Sequence, residues 1–235
     1  VIIRPMAEYL FPLKERFEVA EGTMAFVFKT PDFSFRAGQY IEVELIAPSY
    51  TDEKGNERHF SIASSPNDKG ILMVATRMRP SAFKRSLAEI PLGTEVKIKG
   101  PRGNFVLHEN PSKKAVFIAG GIGITPARSI IKYATQEKLP HKITLIYSNR
   151  NPKSAAFLDD LQKLENENKN FKLIARMTDT EGYVDAALIQ KSAGDLKDVI
   201  FYEVGPPGMV EAMTKILEEL KISRDELRFE EFSGY

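Results

Sequence analysis

The chain has 235 residues, of which 43% are hydrophobic and 28% charged, with a net charge of +1. That length fits one large domain or two modest ones, each able to bury a core, and the charge balance gives no pull toward nucleic acid or an anionic membrane. Cysteine is absent, so this chain itself holds no disulfide, thiolate-ligated cluster or thiol nucleophile. The longest apolar runs, such as 115–119, are too short to span a bilayer. Val1-Ile2-Ile3 meets Arg4-Pro5 at once, which reads as no secretory leader, and the missing Met start reads as trimming. The expected compartment is the cytoplasm. His59, His108 and His141 are far apart in sequence, so no metal site is expected.

The first hundred or so residues read as β. The strand candidates are Thr23 to Lys29, Gln39 to Ile46 with alternating Ile41, Val43 and Leu45, then Phe60 to Ala63, Ile71 to Arg77 and Glu95 to Lys99. Ser81 to Glu89 reads as one short helix, and Gly100 to Phe105 as a tight turn. Short strands with Gly and Pro turns predict a small antiparallel barrel. The character changes near Asn110-Pro111-Ser112-Lys113-Lys114, giving expected domains of 1–110 and 111–235.

Strands and helices then alternate. Ala115 to Ala119, Lys142 to Tyr147, Phe171 to Met177, Val199 to Val204 and Leu227 to Phe232 are strands. Pro126 to Gln136, Ser154 to Glu165, Val184 to Lys191 and Gly208 to Leu220 are helices. This pattern predicts a parallel sheet covered on both faces.

Two segments carry chemistry. Arg58-His59-Phe60-Ser61 offers a cation, an aromatic ring and a hydroxyl, the groups a flavin needs at its diphosphate, ring and reactive nitrogen. On a regular strand Arg58 and Phe60 share one face, with His59 and Ser61 opposed; an ordinary barrel strand with a surface arginine fits the same residues. The helix start at 81–86 adds backbone N–H groups, Lys84 and Arg85 for a diphosphate; a plain basic surface helix fits equally. Gly120 to Pro126 is a glycine turn between strand and helix, where the backbone approaches phosphate closely. Thr125 either caps that helix or touches a phosphate. The second strand of this half ends in Ser148 and Arg150, which suit a 2′-phosphate and lean to NADPH over NADH; a basic loop is the alternative.

Taken together, Arg58 to Ser61, Gly100-Pro101-Arg102-Gly103-Asn104-Phe105, Gly120 to Pro126, Val204 to Met209 and Glu230 to Tyr235 resemble the ferredoxin–NADP reductase-like flavoprotein reductases, over nearly the whole chain. The resemblance implies a six-stranded antiparallel FAD barrel followed by a Rossmann-like parallel α/β domain for NADP, with NAD possible. It places Arg58 on the flavin diphosphate, Phe60 against the isoalloxazine and Ser61 at its N5, with His59 in the same motif. Thr76, Arg77, Ala82, Phe83, Lys84, Arg85 and Ser86 would contact adenylate and diphosphate. Gly121, Gly123 and Thr125 would hold the nicotinamide cofactor's diphosphate, and Gly205, Pro206 and Met209 would lie near its nicotinamide half. Tyr235 would cover the second flavin face, although a frayed terminus accounts for it as well.

Two departures stand out. The family often has Tyr where Phe60 stands, and Cys where Val204 stands. The implied activity is hydride transfer from NAD(P)H to FAD, with Ser61 and Tyr235 at the reacting ring and Glu231 a further candidate. Electrons then leave for a ferredoxin, a flavodoxin or a small molecule such as free flavin or quinone. The competing reading is a non-catalytic flavin-containing subunit of a larger assembly.

Overall fold

The computed structural model describes residues 7–232, and it contains two sheets. Strands β1 (Glu8–Ala20), β2 (Thr23–Lys29), β3 (Tyr40–Leu45), β4 (Glu57–Ser61), β5 (Ile71–Arg77) and β6 (Glu95–Arg102) form the first, in the order β4-β3-β6-β1-β2-β5. Every neighbouring pair is antiparallel. Just beyond β4, the Ala63 N–H donates to the Met73 carbonyl on β5 at 2.8 Å, which brings the two edges of this sheet together. Helix α1 (Ala82–Glu89) follows β5; its start is capped by the Ser81 side chain on the Lys84 N–H.

The sequence pattern does not single out β1. Its first part, Glu8 to Pro12, pairs with β6, and the part from Leu13 to Ala20 pairs with β2. Register shifts at Leu13/Glu15 and Glu18/Ala20 break the two-residue alternation, as bulges do. β6 also runs further than expected, through Gly100-Pro101 to Arg102, where the sequence reads as a turn.

The second sheet is β11 (Leu227–Glu231), β10 (Val199–Gly205), β7 (Lys114–Gly120), β8 (Ile143–Asn149) and β9 (Phe171–Met177), all parallel. Helices α2 (Ile124–Gln136) and α3 (Leu158–Glu167) pack into the apolar cluster with Phe117, Leu145 and Tyr202. A short helix, α4 (Thr178–Glu181), follows β9. Helices α5 (Ala186–Ala193) and α6 (Pro207–Glu219) cover the opposite face with Val116, Ile118 and Phe201. Strand order reverses between β7 and β10, so the loops leaving these two strands diverge and open a crevice there. Among the described residues no helix is long and apolar enough to cross a membrane.

The barrel sheet encloses its own core, centred on Phe26, Phe28, Ile41 and Leu72. Leu13 is fully buried there, where β1 changes partner. Leu13→Ala should lower unfolding stability by about 2–5 kcal/mol, measured by urea titration of the purified chain.

Candidate functional site

One cleft of about 1270 Å³ runs between the two sheets. Its barrel wall carries Arg58, His59, Phe60, Ser61, Thr76 and Arg77, and its far wall Gly121, Gly123, Ser148, Arg150, Pro206 and Met209. Thus most of the residues selected from sequence converge on a single space.

On β4, Arg58 and Phe60 share the face packed on Phe83: the Phe60 ring is 5.9 Å from it, and the Arg58 guanidinium 5.2 Å. Arg58 is buried and donates to the carbonyls of Lys54, Gly55 and Glu57, with Asp52 at 3.6 Å. His59 is exposed beside the Tyr40 ring. The Ser61 hydroxyl donates to Glu230 Oε1 at 2.5 Å, across 169 positions of sequence. Burial pushes the Glu230 carboxyl above the usual carboxylate range, with Ser61 working in the opposite direction. Glu231, for which the sequence offers an assisting role or a solvated acid, is exposed at the edge of the cleft, and Glu230, of opposite parity on β11, is the carboxylate that meets Ser61.

At the start of α1 the sequence predicts free amides. Two are instead occupied: Asp52 accepts from the Ala82 N–H at 3.1 Å and Ser81 from Lys84. Ala82, Phe83, Arg85 and Ser86 do not line the cleft. Phe83 lies in the barrel core, Ser86 bonds the Tyr50 backbone, and Arg85 pairs with Glu89 over the Tyr50 ring. Lys84 does line it, buried, with its ammonium on the Arg77 carbonyl at 3.0 Å. Burial first, and then Arg79, Arg58 and Lys54, push this lysine down to about 8. A buried lysine held among other cations in this way fits a diphosphate.

Across the cleft, β7 runs into a 3-10 turn, Gly121–Gly123, and α2 begins at Ile124. Gly121 has φ +55, and a Cβ on Gly123 would stand 2.7 Å from the Val204 carbonyl. Both positions therefore demand glycine. Thr125 takes neither expected role: it is buried and its hydroxyl back-bonds to the Ile122 carbonyl at 3.2 Å, away from the cleft. Gly205 packs beneath the turn and does not line the cleft, while Pro206 and Met209 do. Arg77 reaches over from the barrel to donate to the Ser154 carbonyl at 3.3 Å, with its guanidinium against Gly121. It thus serves the far wall as well as its own.

Sequence reading missed the cleft residues Arg79, Glu230, Tyr183 and Asn149, and Tyr147 behind them. Tyr183 is 84% exposed at the outer end near Arg150 and Thr178. Asn149 is buried between Ser148 and Arg150. Tyr147 is fully buried, and its hydroxyl supports the Gly121 and Ala156 carbonyls at 3.1 Å each. An aromatic at the end of the second strand was the available signal. Tyr235 lies outside the described residues.

The fold also gathers Glu42, Glu57 and His59, with one ligand atom of each lying within 4.8 Å of the others, a cluster that sequence separation conceals. Arg102 sits 3.0 Å from Glu42, and Lys99 bonds Glu57, so side-chain cations already occupy that acidic ground. His108 and His141, also distant in sequence, stack edge to face at 5.1 Å beside Tyr202.

Gly123→Ala should cost about 1–3 kcal/mol of stability through this backbone clash, read as a lower thermal midpoint. Gly208→Ala, where a Cβ meets nothing within 4 Å, should not lower it.

Residues 10–107 match the oxidoreductase FAD-binding domain family and residues 117–215 the oxidoreductase NAD-binding domain family. The chain is 28% identical to NADH-cytochrome b5 reductase 1 of Aspergillus terreus, over 93% of this chain and 80% of that protein. It is 24% identical to the reductase component of propane 2-monooxygenase from Rhodococcus jostii, over 86% of this chain but only 56% of that component. The FAD/NAD-binding domain of a nitric oxide dioxygenase from Vibrio cholerae shares the fold, with a TM-score of 0.83, 20% identity, and coverage of 95% of this chain and 98% of that one. The chain belongs to the ferredoxin reductase-like family, the FAD-dependent NAD(P)H oxidoreductases that join a flavin domain to a nicotinamide-dinucleotide domain.

Proposed function

We propose that residues 1–110 hold FAD, that residues 111–235 hold NADPH or NADH, and that the chain relays electrons from the nicotinamide to a small protein carrier of the ferredoxin or flavodoxin kind. One observation carries this reading: the 2.5 Å bond from Ser61 to Glu230 joins the flavin strand to the last strand of the other half, inside the shared cleft. When bound, FAD supplies the ring that accepts hydride and releases the electrons singly.

The protein's part is placement. Arg58, Arg79 and Lys84 provide the cationic wall for the flavin diphosphate, and Thr76 lines the cleft beside them. Phe60 gives an apolar edge backed by Phe83. Ser61 and Glu230 form a hydroxyl–carboxyl pair able to hold a proton at the serine oxygen, where the flavin N5 would lie. The Gly121–Gly123 turn and Arg77 receive the second diphosphate, with Pro206 and Met209 beside the nicotinamide. At the outer end, Ser148 and Arg150 face the adenosine ribose, with Tyr183 open to the base. A hydroxyl and a cation there, Ser148 and Arg150, suit a 2′-phosphate and hence NADPH. Tyr235, by resemblance, covers the free ring face.

Val204 is buried beneath the glycine turn and does not line the cleft. A small-molecule acceptor is the second outcome to measure. The chain spans about three fifths of the length of several curated relatives it matches.

The test is to load the purified chain with FAD and mix it anaerobically with NADPH, then NADH. Rapid bleaching of the visible flavin bands by either is expected, faster with NADPH. A chain that retains FAD but is bleached by neither is the non-catalytic flavin carrier instead.

Lys84 adds a pH signature. Its folded pKa, about 8, lies below that of an ordinary lysine, so the ammonium is lost from the folded, flavin-free chain as pH rises through that value. FAD affinity should therefore fall several-fold between about pH 7 and 10, measured by fluorescence titration. Lys84→Met should flatten the slope. Without flavin the sign reverses: the buried charge is relieved, and this residue's contribution to stability rises with pH.

A further inference from the structure

Helix α2 starts at the dinucleotide turn, and one face of it grips the segment that leaves the flavin strand. Four residues do this, at spacings that share a helical face. Arg128 Nη1 donates to the Ala63 carbonyl, and Ser129 Oγ to the Ser64 carbonyl at 2.6 Å. Lys132 pairs with Asp68 at 2.8 Å, and Gln136 accepts from the Ser65 hydroxyl at 2.5 Å. Ala63 and Ser64 lie two and three residues beyond Ser61, and Arg128 lies five beyond Gly123.

Arg128 is the most constrained of the four. It is 5% exposed, its Nε donates to Asp160 at 2.8 Å, and its guanidinium lies 4.6 Å over the Phe157 ring. The Phe157 N–H in turn reaches the Val19 carbonyl of the barrel at 3.4 Å. Burying a guanidinium costs more than burying an apolar side chain of the same volume. What the charge adds is direction: a planar fork fixed on a backbone carbonyl, a carboxylate and a ring at once.

We propose that Arg128 is a positioning residue that, with Ser129, Lys132 and Gln136, sets how closely the dinucleotide turn approaches the flavin strand. The proposal rests on the reductase reading above. Hydride transfer needs the reacting atoms near 3–3.5 Å, and a displacement of about 1 Å costs on the order of a hundredfold in rate. A helix face bonded to backbone carbonyls is stiff enough to hold that spacing, where an apolar contact slides.

The experiment compares the FAD-loaded chain with Arg128→Gln and Arg128→Lys. It measures the limiting rate of flavin bleaching, the dinucleotide concentration giving half that rate, and the long-wavelength absorbance of the nicotinamide–flavin ring pair. Amide hydrogen exchange across 62–68 is measured in the flavin-free chain. For Arg128→Gln the limiting rate should fall roughly 10- to 100-fold, with half-saturation within about twofold of the unsubstituted chain because no dinucleotide contact is removed. The ring-pair absorbance should weaken, exchange at 63–68 should rise, and Arg128→Lys should recover part of each. If Arg128→Gln does not fold, Ser129→Ala, which deletes one bond, should give the same pattern at smaller amplitude.

Variants bleached as fast as the unsubstituted chain, with the same ring-pair absorbance, overturn the positioning role alone. A change confined to half-saturation overturns it as well. An unsubstituted chain that neither dinucleotide bleaches overturns the reductase reading and the positioning role with it.

Discussion

The Val204 carbonyl stands 2.7 Å from the place a Cβ on residue 123 would occupy. This approach sets the turn that follows β7 against the end of β10, the two strands between which the sheet reverses its order. At this reversal the loops leaving the two strands part and leave the crevice that becomes the cleft. Tyr147 supports the turn from below, and burial pushes its phenol well above the ordinary range, so it stays a neutral donor to the Gly121 carbonyl. The glycine turn and the start of α2 at Ile124 depend on that approach.

The two halves share one apolar cluster, in which Ala25, Ala37, Ala63 and Ala75 pack with Ile124, Ala127 and Ile130, and directional polar bonds are laid over it. Arg128 and Ser129 bond barrel carbonyls, Arg77 bonds the Ser154 carbonyl in the opposite direction, and Ser61 bonds Glu230. Each is directional and partly or wholly screened from water, so each fixes relative orientation. Apolar contacts alone tolerate sliding, which a site formed between two domains cannot accept. The Lys84 ammonium, by contrast, is held among other cations, an arrangement that an anionic ligand relieves.

Much of this was legible in the residues. β2, β5 and β9 run over the spans their apolar pattern predicts; β5 against β2 and β9 against β8 keep one unbroken register along their length. β1 was not legible: it serves two partners, and its bulges and the charges at Lys14, Glu15, Arg16 and Glu18 hide the alternation. The glycine turn, Arg58, Ser61 and Arg150, selected from the sequence by residue type and order, all line the cleft. Thr125 and the start of α1 read as open to a ligand, yet local hydrogen bonds occupy them.

The sequence by itself determined two β-rich halves, their antiparallel and alternating character, and the chemical inventory of the cleft, since periodicity and turn chemistry are local. Only the tertiary structure decided which groups meet. Whether Glu230 or Glu231 faces Ser61 depends on the register of β11 against β10, and whether Arg128 is a surface charge or an interdomain fork depends on where the Ala63 carbonyl lies. Such contacts join residues 65 to 169 positions apart, so the distance that matters is set by how two sheets pack and by no local rule of the chain.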